Sequence, residues 1–235
     1  TGCKFLTGSA TILPSMSHPT HTINPILDPL NEKQREAVTA VHGPVLIIAG
    51  AGSGKTKALT HRVAYLVSQG VNPENILAVT FTNKAAGEMR ERITALLGGA
   101  YKSERFGGLF VGTFHSFCAS VLRTEYAKVG FRKNFTIFDD DDSLTLVKEV
   151  MKDLNISSKQ YPASMVSGVI SGLKNQLIRP EEYAAEYGKE AFAKTIAAIY
   201  GDYQRRLKDA NAFDFDDLLM QAVLLLQSSP DVLQK

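Results

Sequence analysis

At 235 residues, with 44% apolar and 21% charged side chains, the chain can pack one large domain or two small ones. No apolar stretch approaches the ~18–20 residues of a membrane-spanning helix, and a formal charge of +2 permits nucleic-acid binding without arguing for it. Cys3 and Cys118 stand far apart in no ligand-like spacing, which argues against a disulfide framework and a zinc site and makes a reducing cytoplasm the default setting.

Residues 1–23 are rich in Thr, Ser and Pro, have no period, and lack the apolar centre of a signal peptide. They read as a disordered leader, with Met16 as a candidate true start. Beyond Pro44 the pattern alternates strand and helix. Val45–Ala49 reads as a short buried strand, and Ala49–Thr56 follows as AGAGSGKT. This is a phosphate-binding loop between a strand and a helix. Gly50, Gly52 and Gly54 let backbone N–H groups turn inward around phosphate oxygens, where a Cβ would obstruct. Ala49, Ala51 and Ser53 complete the cradle, although Ala49 stands where the pattern carries glycine. Lys55 is placed to reach the β- and γ-phosphates of a nucleoside triphosphate, and the Thr56 hydroxyl to ligate Mg²⁺. The dipole of the following helix favours the same anion.

Leu59, Val63, Leu66 and Val67 mark that helix, closed by Gly70 and Asn72-Pro73. Ile76–Phe81 reads as the next strand. Ala85, Met89, Ile93, Leu96 and Leu97 give a helix stopped by Gly98-Gly99. Leu109–Gly112 reads as a third strand before a helix in which Cys118 packs among Phe114, Phe117, Val121 and Leu122. Strands joined by helical crossovers imply a parallel sheet with ligands at its carboxyl ends.

After about residue 130 the character changes to all-helical. Asp139–Asp142 precedes Leu144, Val147, Met151 and Leu154, so the acidic run reads as a helix start that complements the dipole, not as a metal site. Helices follow over Ala163–Asn175 and Pro180–Tyr187. A longer one carries Phe192, Ile196, Ile199, Tyr203 and Leu207, and a last one Leu218 to Leu226. No convincing strand is legible between Asp139 and Ala210.

Three further segments carry chemistry. Gln34, in Leu30–Gln34, offers an amide with the donor and acceptor that match the adenine edge. In Thr80–Ala86, Phe81 is suited to stacking on an unpaired base, Lys84 to a phosphate and Asn83 to holding the strand. Gly112–Ser116 supplies two hydroxyls and the His115 imidazole for backbone contacts that position a strand without reading it. The residues alone leave a second reading equally open: ordinary capping at strand ends, with Phe81 and Phe114 in the core.

Taken together, these segments resemble the superfamily 1 DNA helicases of the UvrD/Rep/PcrA group. The match runs in order through LNEKQREAV (Leu30–Val38), AGAGSGKT (Ala49–Thr56), TFTNKAAGEM (Thr80–Met89), GTFHSFC (Gly112–Cys118) and FDFDDLL (Phe213–Leu219). The resemblance implies an α/β fold: a P-loop, RecA-like parallel sheet with helices on both faces and an all-helical inserted accessory domain. Residues 24–112 and 211–235 would form an incomplete ATP-binding motor domain. Residues 113–210 would form the accessory domain, which touches duplex DNA. ATP and Mg²⁺ are the implied cofactors. Gln34 would read adenine, Lys55 and Thr56 would contact phosphate and magnesium, and Phe81, Asn83, Lys84, Thr113 and His115 would line the single-stranded DNA track. Lys57 stands where relatives often carry Arg, and Gly87 where a longer side chain is common.

The family's second ATPase motif, an apolar strand ending in Asp-Glu, is not found before Lys235. Asp214, Asp216 and Asp217 follow no apolar strand and lead into a helix, so they read as helix-start carboxylates. The resemblance therefore implies the N-terminal part of an ATP-dependent DNA helicase and translocase, moving 3′ to 5′ on single-stranded DNA and single/double-strand junctions in repair or replication. The chain is expected to be truncated before the second RecA-like domain and its arginine finger, and to bind ATP and DNA weakly without efficient hydrolysis. The alternatives are a helicase–nuclease subunit of the RecB or AddA type and a non-catalytic nucleotide- and DNA-binding module.

Overall fold

The computed structural model describes residues 24–98 and 108–234, so the leader and the Gly99 end of the second expected stop lie outside the described residues. The chain divides into two compact units, one reaching to Gln69 and one beginning at Gly70.

In the first unit, α1 spans Glu32–Thr39 and α2 spans Lys55–Ser68. Asn31 starts α1 with a reciprocal box. Its side chain accepts from the Gln34 N–H at 2.8 Å, and the Gln34 side chain accepts from the Asn31 N–H at 3.2 Å. Leu30 and Val38 bury against Ala58, with Leu27 and Tyr65 packed alongside. Three side-chain bonds tie this small core together. Arg62 donates to the Ala37 carbonyl at 2.7 Å, the His61 ring meets the Ile26 carbonyl at 2.6 Å, and Lys57 donates to the Pro29 carbonyl at 2.5 Å.

The strand expected at Val45–Ala49 is not formed. Its exposure nevertheless alternates as a strand's does: Leu46 and Ile48 are 85% and 88% exposed, Val45 and Ile47 39% and 37%. An apolar run becomes a strand only when a neighbour takes its N–H and C=O groups. Among the described residues none does.

In the second unit, β1 (Leu77–Thr80) pairs in parallel with β2 (Phe110–Thr113), in the register Leu77↔Phe110 to Thr80↔Thr113. Between them runs α3 (Asn83–Leu96), capped by the Thr82 hydroxyl on the Ala85 N–H at 3.2 Å. Arg90 ties α3 to the sheet by donating to the Val111 carbonyl at 2.8 Å. α4 (Phe114–Thr124) follows β2 directly. The two strands lie within a residue of the expected positions.

The helical block then comprises α5 (Asp140–Asp153), α6 (Ala163–Asn175), α7 (Pro180–Tyr187) and α8 (Ala191–Asp209). The Asp139 run behaves as expected: Asp139 caps α5 by accepting from the Asp142 N–H at 2.9 Å. Val147, Val150, Val166, Ile170, Ile196 and Ile199 form the centre of its core, each contributing roughly 1.5–3 kcal/mol on burial.

A two-residue parallel ladder, β3 (Thr136–Ile137) with β4 (Ala212–Phe213), escaped the periodicity reading. Asn211 makes it possible. It takes a left-handed φ of 53°, which Asn tolerates, and its side chain accepts from the Arg132 N–H at 2.7 Å. α9 (Phe215–Ser228) and the short α10 (Pro230–Leu233) close the unit over α4, burying Cys118, Leu122, Phe213 and Leu218. Cys118 is the buried packing residue expected, and burial pushes its thiol up. No described helix is long and apolar enough to cross a membrane.

Candidate nucleotide and nucleic-acid sites

The loop expected to hold phosphate is shaped by its glycines. Gly52 and Gly54 take left-handed φ angles of 77° and 85°. Gly54 is also the residue before the first turn of α2, so the chain enters that helix through a conformation other residues resist. A second constraint acts on Gly54: a Cβ there would lie 2.5 Å from the Gln34 Nε2. Gln34 needs that space because its amide donates to the Ser53 carbonyl at 3.0 Å. Ser53 in turn donates its hydroxyl to the Gly50 carbonyl at 2.7 Å, closing the loop on itself.

Lys55 folds back over the loop and donates to the Ala49 and Gly50 carbonyls, both at 2.8 Å. These are the groups that a phosphate oxygen would replace. A cleft of about 210 Å³ brings Gln34, Ala49, Ser53, Gly54 and Lys55 together. Thr56 lies exposed in the first turn of α2, and its hydroxyl has no partner among the described residues. An exposed hydroxyl of this kind would be able to contribute one oxygen to a Mg²⁺, were that ion bound with a nucleotide. No cluster of three or more His, Cys, Asp or Glu able to hold a metal occurs among the described residues. Lys57, by contrast, is spent on the Pro29 carbonyl and takes no part in the cleft.

At the carboxyl ends of β1 and β2 the structure gathers a row of rings. Phe81 is 89% exposed and lies 5.8 Å, centroid to centroid, from Phe114. His115 meets Phe215 edge-on at 5.6 Å. Phe81 and Phe114 are thus not core residues; both present ring surface to solvent. Asn83 and Lys84, also exposed, begin α3 beside Phe81.

The hydroxyls of the third segment are placed differently from the expectation. Thr113 is buried and caps α4, accepting from the Ser116 N–H at 3.2 Å. Ser116 accepts from the Thr113 N–H and donates to the Thr113 carbonyl, both at 2.8 Å. Both hydroxyls therefore serve the cap, so the capping reading fits this pair, whereas its placement of Phe81 and Phe114 in the core does not fit their exposure.

Sequence reasoning missed Phe215, whose place beside His115 depends on how α9 docks, and it missed Lys174. That lysine is fully buried between Asp214 at 2.6 Å and Asp217 at 2.9 Å, with its ammonium 5.0 Å from the Tyr203 ring centroid. The available signal was a cation next to Ile170 and Leu173 on the apolar face of α6. The helix-start reading of the aspartates is correct as far as it went: Asp214 caps α9 by accepting from the Asp217 N–H at 2.7 Å.

Comparison with known proteins supplies the class. Residues 30–235 match the family model described as UvrD/REP helicase N-terminal domain, and the chain belongs to that family. Among its relatives, the ATP-dependent DNA helicase PcrA of Leuconostoc citreum is 46% identical over 215 residues, covering 91% of this chain and 28% of the relative. PcrA of Staphylococcus aureus strain Mu50 is 43% identical over 213 residues, 90% of this chain and 28% of the relative. The ATP-dependent DNA helicase UvrD1 of Mycobacterium bovis is 46% identical over 213 residues, 89% of this chain and 27% of the relative. The chain thus spans little more than a quarter of the length of these curated relatives.

Proposed function

We propose that the chain is the ATP-binding N-terminal part of a cytoplasmic DNA helicase and translocase that moves 3′ to 5′ along single-stranded DNA and acts at single/double-strand junctions. The observation that carries this reading is the loop itself: two left-handed glycines, a lysine folded across the cradle, and the Gln34 amide seated on Gly54. Gln34 exchanges its loop and cap partners for the adenine edge. Lys55 exchanges two carbonyls for β- and γ-phosphate oxygens, and Thr56 adds its hydroxyl to Mg²⁺ when that ion accompanies the nucleotide. Phe81 and Phe114 offer faces to unpaired bases, with Asn83, Lys84 and His115 beside them for the sugar–phosphate chain. Thr113 contributes by fixing the turn from β2 into α4. The RecA-like motor domain is assigned to residues 24–112 and 211–235, and residues 113–210 to an accessory block that meets duplex DNA.

These 235 residues hold a phosphate loop but no apolar strand ending in Asp-Glu. Efficient ATP turnover is proposed to depend on such a strand together with a second RecA-like domain, whose arginine finger alone supplies about 10³–10⁵ in rate. Nucleotide titration of Lys55→Ala tests the site: binding should be lost. Undiminished affinity in that variant would remove Lys55 from the site, and robust DNA-stimulated hydrolysis by the unsubstituted chain would overturn the division of labour.

A further inference from the structure

The buried lysine cluster contains an imbalance that the helicase reading does not use. Lys174 brings one positive charge, whereas Asp214 and Asp217 bring two carboxyls, all inside the unit. The hydrogen bonds are unevenly shared. Asp214 Oδ2 takes the Lys174 ammonium and the Tyr203 hydroxyl, at 2.6 and 2.7 Å, while its Oδ1 takes the Asp217 N–H. Asp217 Oδ1 likewise takes two donors, Lys174 Nζ at 2.9 Å and Gln204 Nε2 at 2.7 Å. Asp217 Oδ2 takes none. The buried side-chain atoms without a partner among the described residues are this oxygen and Gln204 Oε1, the other end of the very amide that bonds Asp217.

Two acceptors left over on two groups already joined by one hydrogen bond are what a missing proton looks like. Turning the Gln204 amide over does not help, because it would set its oxygen against Asp217 Oδ1 in place of a donor. We propose that Asp217 carries a proton on Oδ2 and donates it to Gln204 Oε1, closing a cyclic acid–amide pair that clamps α9 to α8 and leaves the Lys174–Asp214 pair electrically balanced. The clamp is a pH-responsive joint: removing the proton leaves two facing acceptors and one surplus negative charge in the interior.

The groups around it are Lys174 on α6, Tyr200, Tyr203 and Gln204 on α8, and Asp214 and Asp216 at the start of α9, with Glu181 of α7 acting on Tyr200. Burial pushes the Asp217 carboxyl up to about 6; Lys174 opposes this and Asp214 reinforces it. The same burial and the same carboxylates raise both tyrosines, which stay neutral throughout. A carboxyl whose folded value lies above its unfolded one stabilises the fold fully below the ordinary carboxylate range. That stabilisation falls away as pH rises towards about 6.

The test follows Asp217 itself, by the side-chain carboxyl ¹³C shift of the whole chain between pH 4 and 8, together with thermal unfolding of the chain and of Asp217→Asn. The amide of Asp217→Asn reproduces the protonated pair, one acceptor towards Lys174 and one donor towards Gln204. Its unfolding midpoint should therefore lose the decline that the unsubstituted chain shows between about pH 4 and 6, and at pH 7.5 it should match or exceed that chain by about 2–4 °C. A carboxyl that is fully ionised at pH 5 in the carbon titration would overturn the proposal, whether or not the variant folds. An Asp217→Asn midpoint that keeps the original decline would overturn it as well.

Discussion

Replacing Gly54 by alanine strikes the proposed nucleotide loop in two ways whose sizes follow from the structure. The residue sits at φ 85°, where a Cβ costs roughly 1–2 kcal/mol. The same Cβ would stand 2.5 Å from Gln34 Nε2, which must then leave the Ser53 carbonyl and give up a bond with a net worth of about 0.5–1.5 kcal/mol. Together about 1.5–3.5 kcal/mol is set against the loop conformation, or roughly a 10- to 400-fold loss of affinity if all of it falls on nucleotide binding. Anisotropy titration with a fluorescent ATP analogue measures this directly. The two contributions separate in a Gln34→Ala background, where the clash is gone and only the left-handed penalty of roughly 1–2 kcal/mol should remain. Unchanged affinity in Gly54→Ala would refute the reasoning. An undiminished effect of Gly54→Ala in the Gln34→Ala background would show that the amide has no part in it.

Phe81→Ala should weaken binding of a fluorescent single-stranded oligonucleotide by about 1–3 kcal/mol. It should leave the thermal midpoint in place, since the ring is 89% exposed and lies beside Phe114 at the surface; a lower midpoint with intact DNA binding would return the ring to a structural role. Lys174→Met leaves two buried carboxyls without their cation and should cost about 3–5 kcal/mol, a fall of about 6–20 °C in the unfolding midpoint. A midpoint within a degree of the original would mean the cluster is solvated and not buried as the geometry has it.

How far the fold was legible depended on whether its determinants lie close together in the chain. The bounds of α6 and α7 are read directly from a proline before or at the first turn followed by apolar residues at helical spacing. Asp139 and Asp214 are recognisable caps for the same reason, since cap and recipient are three residues apart. The failures all need a distant partner. Val45–Ile48 has the composition of a strand, but composition does not supply the neighbour that makes a ladder. The two-residue strands β3 and β4 are too short for any period to show and depend on one left-handed asparagine. Lys174 is the strongest case. Lysine is ordinarily a surface residue, and only a carboxylate 40 positions away makes its burial tolerable. At the candidate site, the glycines and Lys55 were legible, because backbone freedom and charge belong to the residues themselves, whereas the exposure of Phe81 was not, because it is set by the fold. That the hydroxyls of Thr113 and Ser116 serve a cap was not, because a hydroxyl beside a helix start serves the helix or a ligand equally well.

The resting hydrogen bonds of the loop bear on what a nucleotide must do there. Lys55 and Gln34 are not idle donors waiting for a ligand; each already holds loop carbonyls, at 2.8 and 3.0 Å. Binding is then an exchange of partners. For Lys55, whose bonds to the carbonyls are already charge-assisted by its ammonium, the gain is the added attraction of an anionic phosphate oxygen over a neutral carbonyl as acceptor. Such an exchange favours a highly charged ligand over a weakly charged one, because only the former repays the loss of two carbonyl bonds at once. On the proposed reading Lys55 would have two roles, bracing the loop through the Ala49 and Gly50 carbonyls when empty and gripping phosphate when filled. The affinity lost on removing its ammonium therefore combines a missing contact with a loosened cradle. Gln34 is bound by the same logic, joined at one end to the Asn31 cap and at the other to Ser53. An adenine that draws the amide away from Ser53 would pull on the loop that holds its own phosphates, which couples base and phosphate recognition through a single side chain.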